Sequence, residues 1–324
     1  MTVVLVTGGA GYIGSHACKA LAARGHVPVT YDDLSHGHRE AVRWGPFEQG
    51  DIGDAERLAL VLRRHRPAAA MHFAGLIAVG ESVREPAAYY RVNVGATLSL
   101  LDALRHGGVG TVVFSSSAAV YGAPDKVPVP EDAALLPTSP YGRSKLMVEQ
   151  MLADQGRAYG LKWMALRYFN AAGADPDGEI GEDHRPETHL IPRALMAAAG
   201  EIPYLDLFGT DYPTPDGTAV RDYVHVSDLA AMHVAALDRL MAGGDGGCLN
   251  LGTGCGFSIR EVVASVERVT GRVVPLRPSG RRAGDPPVLV ADPARARDLL
   301  GVEPAYDTLD AIVETAWNWY RRRR

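Results

Sequence analysis

Short apolar runs alternate with longer stretches of helical periodicity through the first 170 residues of the chain, the pattern of successive strand–helix units around a parallel sheet. Residues 3–7 (VVLVT), 27–31, 68–73, 111–115 and 161–167 read as strands. Between them, Tyr12 to Arg24 reads as a helix closed by Gly25, Asp54 to Arg66 as one running from an N-cap to Pro67, and Ala87 to His106 as a third ending before Gly107. Ser139 and Pro140 mark the start of a fourth, through Tyr141 to Tyr159. The expected fold is therefore α/β, a doubly wound parallel sheet. Beyond Asn170 the texture changes: 171–188 and 209–217 are loops rich in Gly, Pro and Asp, the kind that carries sites. Helical patterns return at Ser227 to Met241 and Ser258 to Thr270, the latter with Ser258 and Glu261 at capping-box spacing, and the short strand CLNLG lies between them. The pattern divides the chain into 1–170, a unit of successive strand–helix repeats, and 171–324, a smaller loop-rich α/β unit, with 221–252 returning to the first.

Composition narrows the class. The 324 residues carry 33 Lys and Arg against 38 Asp and Glu, a net charge of -5, with 47% apolar residues, which excludes disorder and offers no basic field for nucleic acid. The arginines at 321–324 read as a solvated end. No apolar run is long enough for a membrane span, and the first residues resemble no cleavable leader, so a cytoplasmic protein is expected. Cys18, Cys248 and Cys255 match neither a disulfide framework nor a zinc pattern, and no metal ligand set is expected. The 36 glycines call for tight turns or backbone that approaches a ligand closely.

Three of them supply the first candidate chemistry. Gly8, Gly11 and Gly14, with Tyr12 and Ile13, lie in TGGAGYIG between the first strand and the first helix. A tight turn there lets backbone touch a pyrophosphate held by the N–H groups and dipole of the helix N-terminus. Asp32 and Asp33 end the second strand, where a carboxylate binds a ribose 2′-hydroxyl and disfavours a 2′-phosphate, so NAD is expected over NADP. His36, His38 and Arg39 just beyond suit a phosphate and keep NADP open. Asp51 and Ile52, then Phe73, Ala74 and Gly75, fall where the walls of a dinucleotide site belong.

The second candidate is SPYGRSK. Tyr141 and Lys145 stand four apart on one helix face, so both head groups point the same way, and lysine is scarce, at four residues against 29 arginines. A tyrosine near pKa 10 is a poor base at pH 7. An adjacent ammonium, the helix N-terminus and a cationic nicotinamide should draw the phenol of Tyr141 down. Ser117, closing FSSS at a strand end, is the residue to hydrogen-bond the reacting oxygen; Ser115 and Ser116 compete for that role.

With these motifs the chain resembles the extended short-chain dehydrogenase/reductase family, and within it the branch that epimerises UDP-hexoses at C4. The likeness runs through VTGGAGYIGSH, HFAGLIAVGES, FSSSAAVYG, SPYGRSKLMVEQ, LRYFNAAGA, LFGTDYPTPDGTAVRDYVHVSDLA, NLGTG and RRAGDP. It implies a Rossmann-type fold and Ser117, Tyr141 and Lys145 as catalytic. It also implies bound NAD that takes the C4 hydride of UDP-galactose or UDP-glucose and returns it to the other face of a 4-keto intermediate. It places Asn93, Ser115 and Tyr168 in the cofactor shell, and Phe169, Asn170, His189, Leu190, Phe208, Arg221, Tyr223, Arg282, Asp285 and Leu289 around the UDP-sugar, Arg221 and Arg282 on the diphosphate. Three residues depart from the family pattern: Ile77 replaces a Lys, His189 an Asn, and Leu289 stands where Tyr narrows the sugar pocket, which implies that N-acetylated UDP-hexoses are also accepted. Related dehydratases need an Asp–Glu pair beside the catalytic hydroxyl, but here Ala118 and Ala119 follow Ser117. A UDP-pentose or UDP-uronate 4-epimerase is the rival within the chemistry, and a non-catalytic NAD-binding regulator the rival outside it. The family's habit of pairing through two helices implies a homodimer joined at 87–106 and 141–159.

Overall fold

The computed structural model describes residues 1–282 and 284–323. Seven strands make the large sheet: β1 (Val3–Thr7), β2 (Val27–Asp32), β3 (Phe47–Gln49), β4 (Ala69–His72), β5 (Thr111–Ser117), β6 (Lys162–Tyr168) and β10 (Gly247–Leu251). All are parallel, in the order β10-β6-β5-β4-β1-β2-β3. The order reverses between β1 and β4, so the loops leaving their C-terminal ends diverge and open a crevice. Strands buried on both faces explain the unbroken apolar runs of the sequence.

One face is covered by α1 (Tyr12–Ala23) and α8 (Val226–Met241), which bury Ala17, Leu21, Leu229 and Leu237 against Val4, Val6 and Leu166. The other is covered by α2 (Ala55–His65), α5 (Thr97–His106) and α6 (Pro140–Tyr159), which bury Leu58, Leu100, Leu104, Val148 and Leu152 against Leu5 and Val112. The expected caps are present: Asp54 accepts from Arg57 N, and Ser139 accepts from Gly142 N at the start of α6, with Pro140 in its first position. Ser258 and Glu261 form the capping box of α9 (Ile259–Thr270).

The helix expected over 87–106 begins one residue earlier and is not regular. After α3 (Val79–Arg84), α4 (Pro86–Tyr89) passes into a π-helical stretch, Tyr90–Ala96, before α5. A π segment adds a residue to the turn and rotates the helix beyond it, a common device where a side chain must be aimed. Here it aims Asn93.

A second, four-stranded sheet stands beyond the large sheet's C-terminal ends. In it β9 (Val220–His225) pairs with β7 (Asn170–Ala172), β11 (Gly256–Ser258) and β13 (Val288–Leu289). A two-stranded pair, β8 (Leu205–Phe208) with β12 (Leu276–Ser279), lies beside it. A third core joins α7 (Leu190–Ala198), α9 and α11 (Leu309–Arg322); α10 (Ala294–Leu300) packs back toward β10. Of the stretch 221–252, α8 and β10 belong with the large sheet and β9 with the small one.

The arginine tail is not simply solvated, which corrects the sequence expectation. Arg322 donates to Asp177 O and Arg323 pairs with Asp183, so the end of α11 fastens the loop 171–188; Arg324 lies outside the described residues. Lys19 holds the same loop from the other side, 2.7–2.8 Å from Asp175, Asp177 and Glu179. The physical reason is charge: six carboxylates crowd this loop, and the cations gather there.

Candidate active site

The glycine turn is built by exclusion. Gly8 has a φ of 72°, and a Cβ there would stand 2.5 Å from Ala74 N; one on Gly14 would stand 2.1 Å from Gly8 O. No side chain caps the N-terminus of α1 at Gly11, so its N–H groups face outward, as an anion requires. Asp32 closes the turn from β2: Oδ2 accepts from Ala10 N at 3.0 Å and Oδ1 from Leu34 N at 2.9 Å. Burial raises its carboxyl above the usual range, against these two bonds. Asp33 is exposed and turned onto Ser35, and exposed Asp51 caps Gly53, while Ile52 is buried in the core beneath α2. Of the groups that kept NADP open, His38 is engaged by Asp183 and Arg39 stacks on Phe47.

Across the crevice, Phe73, Ala74 and Gly75 leave β4. Asn93 ties this wall down: its Oδ1 accepts from Leu76 N at 2.8 Å, and its Nδ2 donates to Leu76 O at 2.9 Å and Ser144 Oγ at 3.1 Å. One amide thus joins the β4 loop to α6, and the π segment delivers it there. Ile77 is exposed beside it.

At the end of β5 the three serines separate by strand alternation. Ser116 Oγ donates to Glu149 on α6, and Ser115 Oγ pairs with the Tyr168 hydroxyl, so both are committed. Ser117 Oγ accepts from Ala119 N at 3.2 Å, and its hydroxyl lies near enough to Tyr141 to act on the phenol. Lys145 is 4% exposed, its Nζ donating to Ser115 O at 2.9 Å and lying 5.8 Å from the Tyr141 ring centre. Burial lowers the Lys145 ammonium to about 8, with Glu149 opposing the shift. The drawn-down phenol expected from the sequence is not what the chain alone produces. Burial raises Tyr141, and only the nearby Ser117 hydroxyl pulls it the other way. Desolvation of a phenolate outweighs one neutral hydroxyl, and the neighbouring ammonium is itself weakened by burial.

Behind these residues lies a network that the sequence reading missed. Glu149 and Arg167, both 4% exposed, pair at 2.6 Å. Arg167 also donates to the Tyr121 hydroxyl, which donates to Asn250 Oδ1 at 2.7 Å, and Asn250 donates on to Val129 O. The signal was available: Glu149 stands four residues after Lys145 and eight after Tyr141, on the same helix face.

The small sheet gathers the remaining candidates by register. Asn170 pairs with Tyr223 and Leu289 with Arg221, so strand pairing brings residues some 50 to 70 positions apart side by side. Arg221 and Arg282 share the carboxylate of Asp285, each at 3.1 Å, and Arg282 covers the Phe208 ring at 5.0 Å. Tyr223 is buried within their field. Phe169 and Leu289 pack together with Val129 and Ala291. His189 precedes the first turn of α7 at Leu190, and its Nδ1 lies 2.7 Å from Glu182, whose pairing outweighs burial and raises His189 to about 10.

The sequence profile of the NAD dependent epimerase/dehydratase family matches residues 4–252, spanning the glycine turn, the Ser117–Tyr141–Lys145 group and β9. The chain belongs to this family. Members similar to it over nearly their whole length include the UDP-glucose 4-epimerase of Rhizobium meliloti (strain 1021), 54% identical over 99% of this chain and 97% of that protein. Among solved structures, the UDP-glucose 4-epimerase of Brucella ovis in complex with NAD superposes with a TM-score of 0.96 at 56% identity, covering 98% of each chain. The UDP-Glc/GlcNAc 4-epimerase of Campylobacter jejuni superposes at 0.87 with 38% identity, covering 99% of this chain and all of that one. Membership of this NAD-dependent family accords with the turn: Gly8 and Gly14 let it fold tightly onto itself and against Ala74, Asp32 closes it from β2, and the N-terminus of α1 is left without a side-chain cap.

Proposed function

We propose that the protein interconverts UDP-galactose and UDP-glucose by inverting C4 of the hexose. The observation that carries this reading is the convergence of Ser117, Tyr141 and buried Lys145 at the C-terminal end of β5, beside a glycine turn closed by Asp32. Gly8, Gly11, Tyr12, Ile13, Gly14 and Asp32 would hold NAD, with Phe73 to Gly75 and Asn93 forming the facing wall. When bound, NAD takes up hydride from the sugar C4 and returns it to the opposite face. Tyr141 holds the proton that leaves and rejoins the O4 oxygen, Ser117 orients that oxygen, and the Lys145 ammonium stabilises the phenolate across its ring. Because the chain alone leaves Tyr141 with a raised pKa, it is a sluggish base until a further positive charge arrives, which couples proton removal to cofactor binding.

Arg221 and Arg282, with Asp285, Phe208, Tyr223 and Leu190, would anchor the UDP group while the sugar turns. Residues 1–170 with α8 and β10 form the cofactor unit in this reading, and the rest of 171–324 the UDP-sugar unit. Leu289, shorter than Tyr and packed at the pocket with Phe169, supports acceptance of N-acetylated UDP-hexoses as well. Exposed Leu98, Met147 and Tyr159 on α5 and α6 support a homodimer through those helices, and three unpaired cysteines suit the reducing cytoplasm.

Nuclear magnetic resonance time courses without added NAD test the reading. UDP-galactose and UDP-N-acetylgalactosamine are each expected to convert to their 4-epimers, whereas conversion of UDP-arabinose alone would replace the hexose assignment by a pentose one. Tyr141→Phe should lower turnover by about 10²–10⁴-fold with NAD content unchanged. Retained activity in that variant would remove Tyr141 as the base.

A further inference from the structure

Two clusters of potential metal ligands lie on the segment 171–189, and they differ in what fills them. In the first, Asp175, Asp177 and Glu179 surround the ammonium of Lys19, which already neutralises them. The second, Glu182-x-His184-x-x-Glu187-x-His189, has no lysine or arginine at its centre among the described residues, only its own two imidazoles facing the carboxylates, and its four ligand atoms lie within 4.8 Å of one another.

In the second cluster the imidazole nitrogens point inward. His189 Nδ1 stands 2.7 Å from Glu182 Oε1 and 3.1 Å from Glu187 Oε1. His184 Nδ1 stands 3.2 Å from Glu182 Oε1 and 3.7 Å from Glu187 Oε2. That nitrogen is closed off from solvent yet makes no well-formed hydrogen bond. The two carboxylates are under 10% exposed. Four ligands at bond lengths of about 2.0–2.2 Å around a tetrahedral ion are separated by about 3.3–3.6 Å. The observed spacings straddle that range, so side-chain shifts of less than about 1 Å would close the shell.

We propose that Glu182, His184, Glu187 and His189 form a binding site for a first-row divalent cation of the zinc class. Binding would displace to solvent the protons that the two carboxylates hold on the imidazoles; two neutral imidazoles and two carboxylates then balance a doubly charged ion, and the mixed nitrogen and oxygen set suits tetrahedral Zn²⁺ over Mg²⁺ or Ca²⁺. Four protein ligands leave no open position, so the ion is structural. It would staple the loop to the start of α7, while Trp319 Nε1 holds Glu182 O at 3.1 Å and the Tyr12 ring sits edge-on to His184 at 6.3 Å. The ion therefore links the end of α11, the loop and the glycine turn. The site stands or falls independently of the sugar specificity.

The full-length protein, stripped with a chelator and checked for retained NAD, is titrated with Co²⁺ and separately with Zn²⁺. One ion per chain is expected, with the intense visible absorption of tetrahedral Co²⁺ and displacement of Co²⁺ by Zn²⁺. His184→Gln and Glu187→Gln should each abolish that absorption, whereas Asp177→Asn in the lysine-filled cluster should keep it. Should either ligand variant fail to fold, the wild-type chain still decides the matter, since a rise in Tm on adding one equivalent of Zn²⁺ is required. Weak octahedral Co²⁺ spectra, the absence of stoichiometric binding, or binding unchanged in both ligand variants would each overturn the site.

Discussion

At the scale of single residues, Lys145 connects the proposed chemistry to the buried network. Its ammonium is lowered to about 8 by burial, and Glu149, one turn along α6, is the group that holds it up. Above pH 8 the ammonium is lost, so turnover should fall on the alkaline side. Glu149→Gln removes the supporting charge and should move that alkaline limb to lower pH; a pH–rate profile with an unmoved limb would separate Glu149 from the site. The same substitution strips Arg167 of its partner inside the protein, at a cost of about 3–5 kcal/mol in urea unfolding. Replacing both residues with apolar ones of similar volume should return most of that loss, because no unpaired charge then remains buried.

At the scale of elements, two devices place the cofactor walls. The glycine turn tolerates no Cβ at position 14, so Gly14→Ala should push Gly8 O away and lower the NAD content of purified protein severely, with the far-ultraviolet circular dichroism unchanged. The π segment is the counterpart across the crevice. Asn93→Ala would leave Leu76 N and O and Ser144 Oγ without their partner, and a several-fold faster loss of NAD on dialysis is the expected result. The turn was legible in the sequence, because glycine spacing and a following acid report backbone geometry directly. So was the face shared by Tyr141 and Lys145, since helical period fixes it. The π segment was not, because seven residues are too few to tell the period of a π turn from that of an α turn. The small sheet was equally opaque: Asn170, Arg221 and Leu289 meet only through pairing of short strands, and register between distant segments leaves no local trace. The role of Asn250 was hidden for the same reason. Its partners Tyr121 and Glu131 come from a loop more than a hundred residues earlier.

At the scale of the whole molecule, buried histidines set the acid limit. His72 bridges Thr7 and Thr97, His225 bonds Thr315, and His233 bonds Leu229 O; burial lowers His72 and His225 to about 3 and His233 to about 4. Each is neutral when folded and free to protonate once unfolded. Their contribution to stability is therefore complete above an unfolded pKa of about 6.5 and declines as pH falls toward the folded values. Between pH 6.5 and 5 the loss is about 2 kcal/mol per histidine, and three together approach the net stability of an ordinary domain. The urea midpoint should drop steeply from pH 7 to pH 5; a flat profile over that interval would contradict the neutral assignment.

The placement of β10 carries a consequence for how the chain is made. This edge strand pairs with β6 across some 80 intervening residues, and it delivers Asn250 to the Tyr121–Arg167 group. While the protein is being synthesised, everything through α6 has emerged long before residue 251 does. Until then the sheet has an open edge at β6, and the Arg167 ion pair behind Tyr141 is not yet sealed. Such a pairing is slow, because a long loop must close before any of its contacts form. Refolding should therefore show a late phase in which β10 docks and the Tyr141 side of α6 becomes rigid. A chain released before residue 251 would present that exposed edge to its neighbours, the circumstance in which nascent chains aggregate.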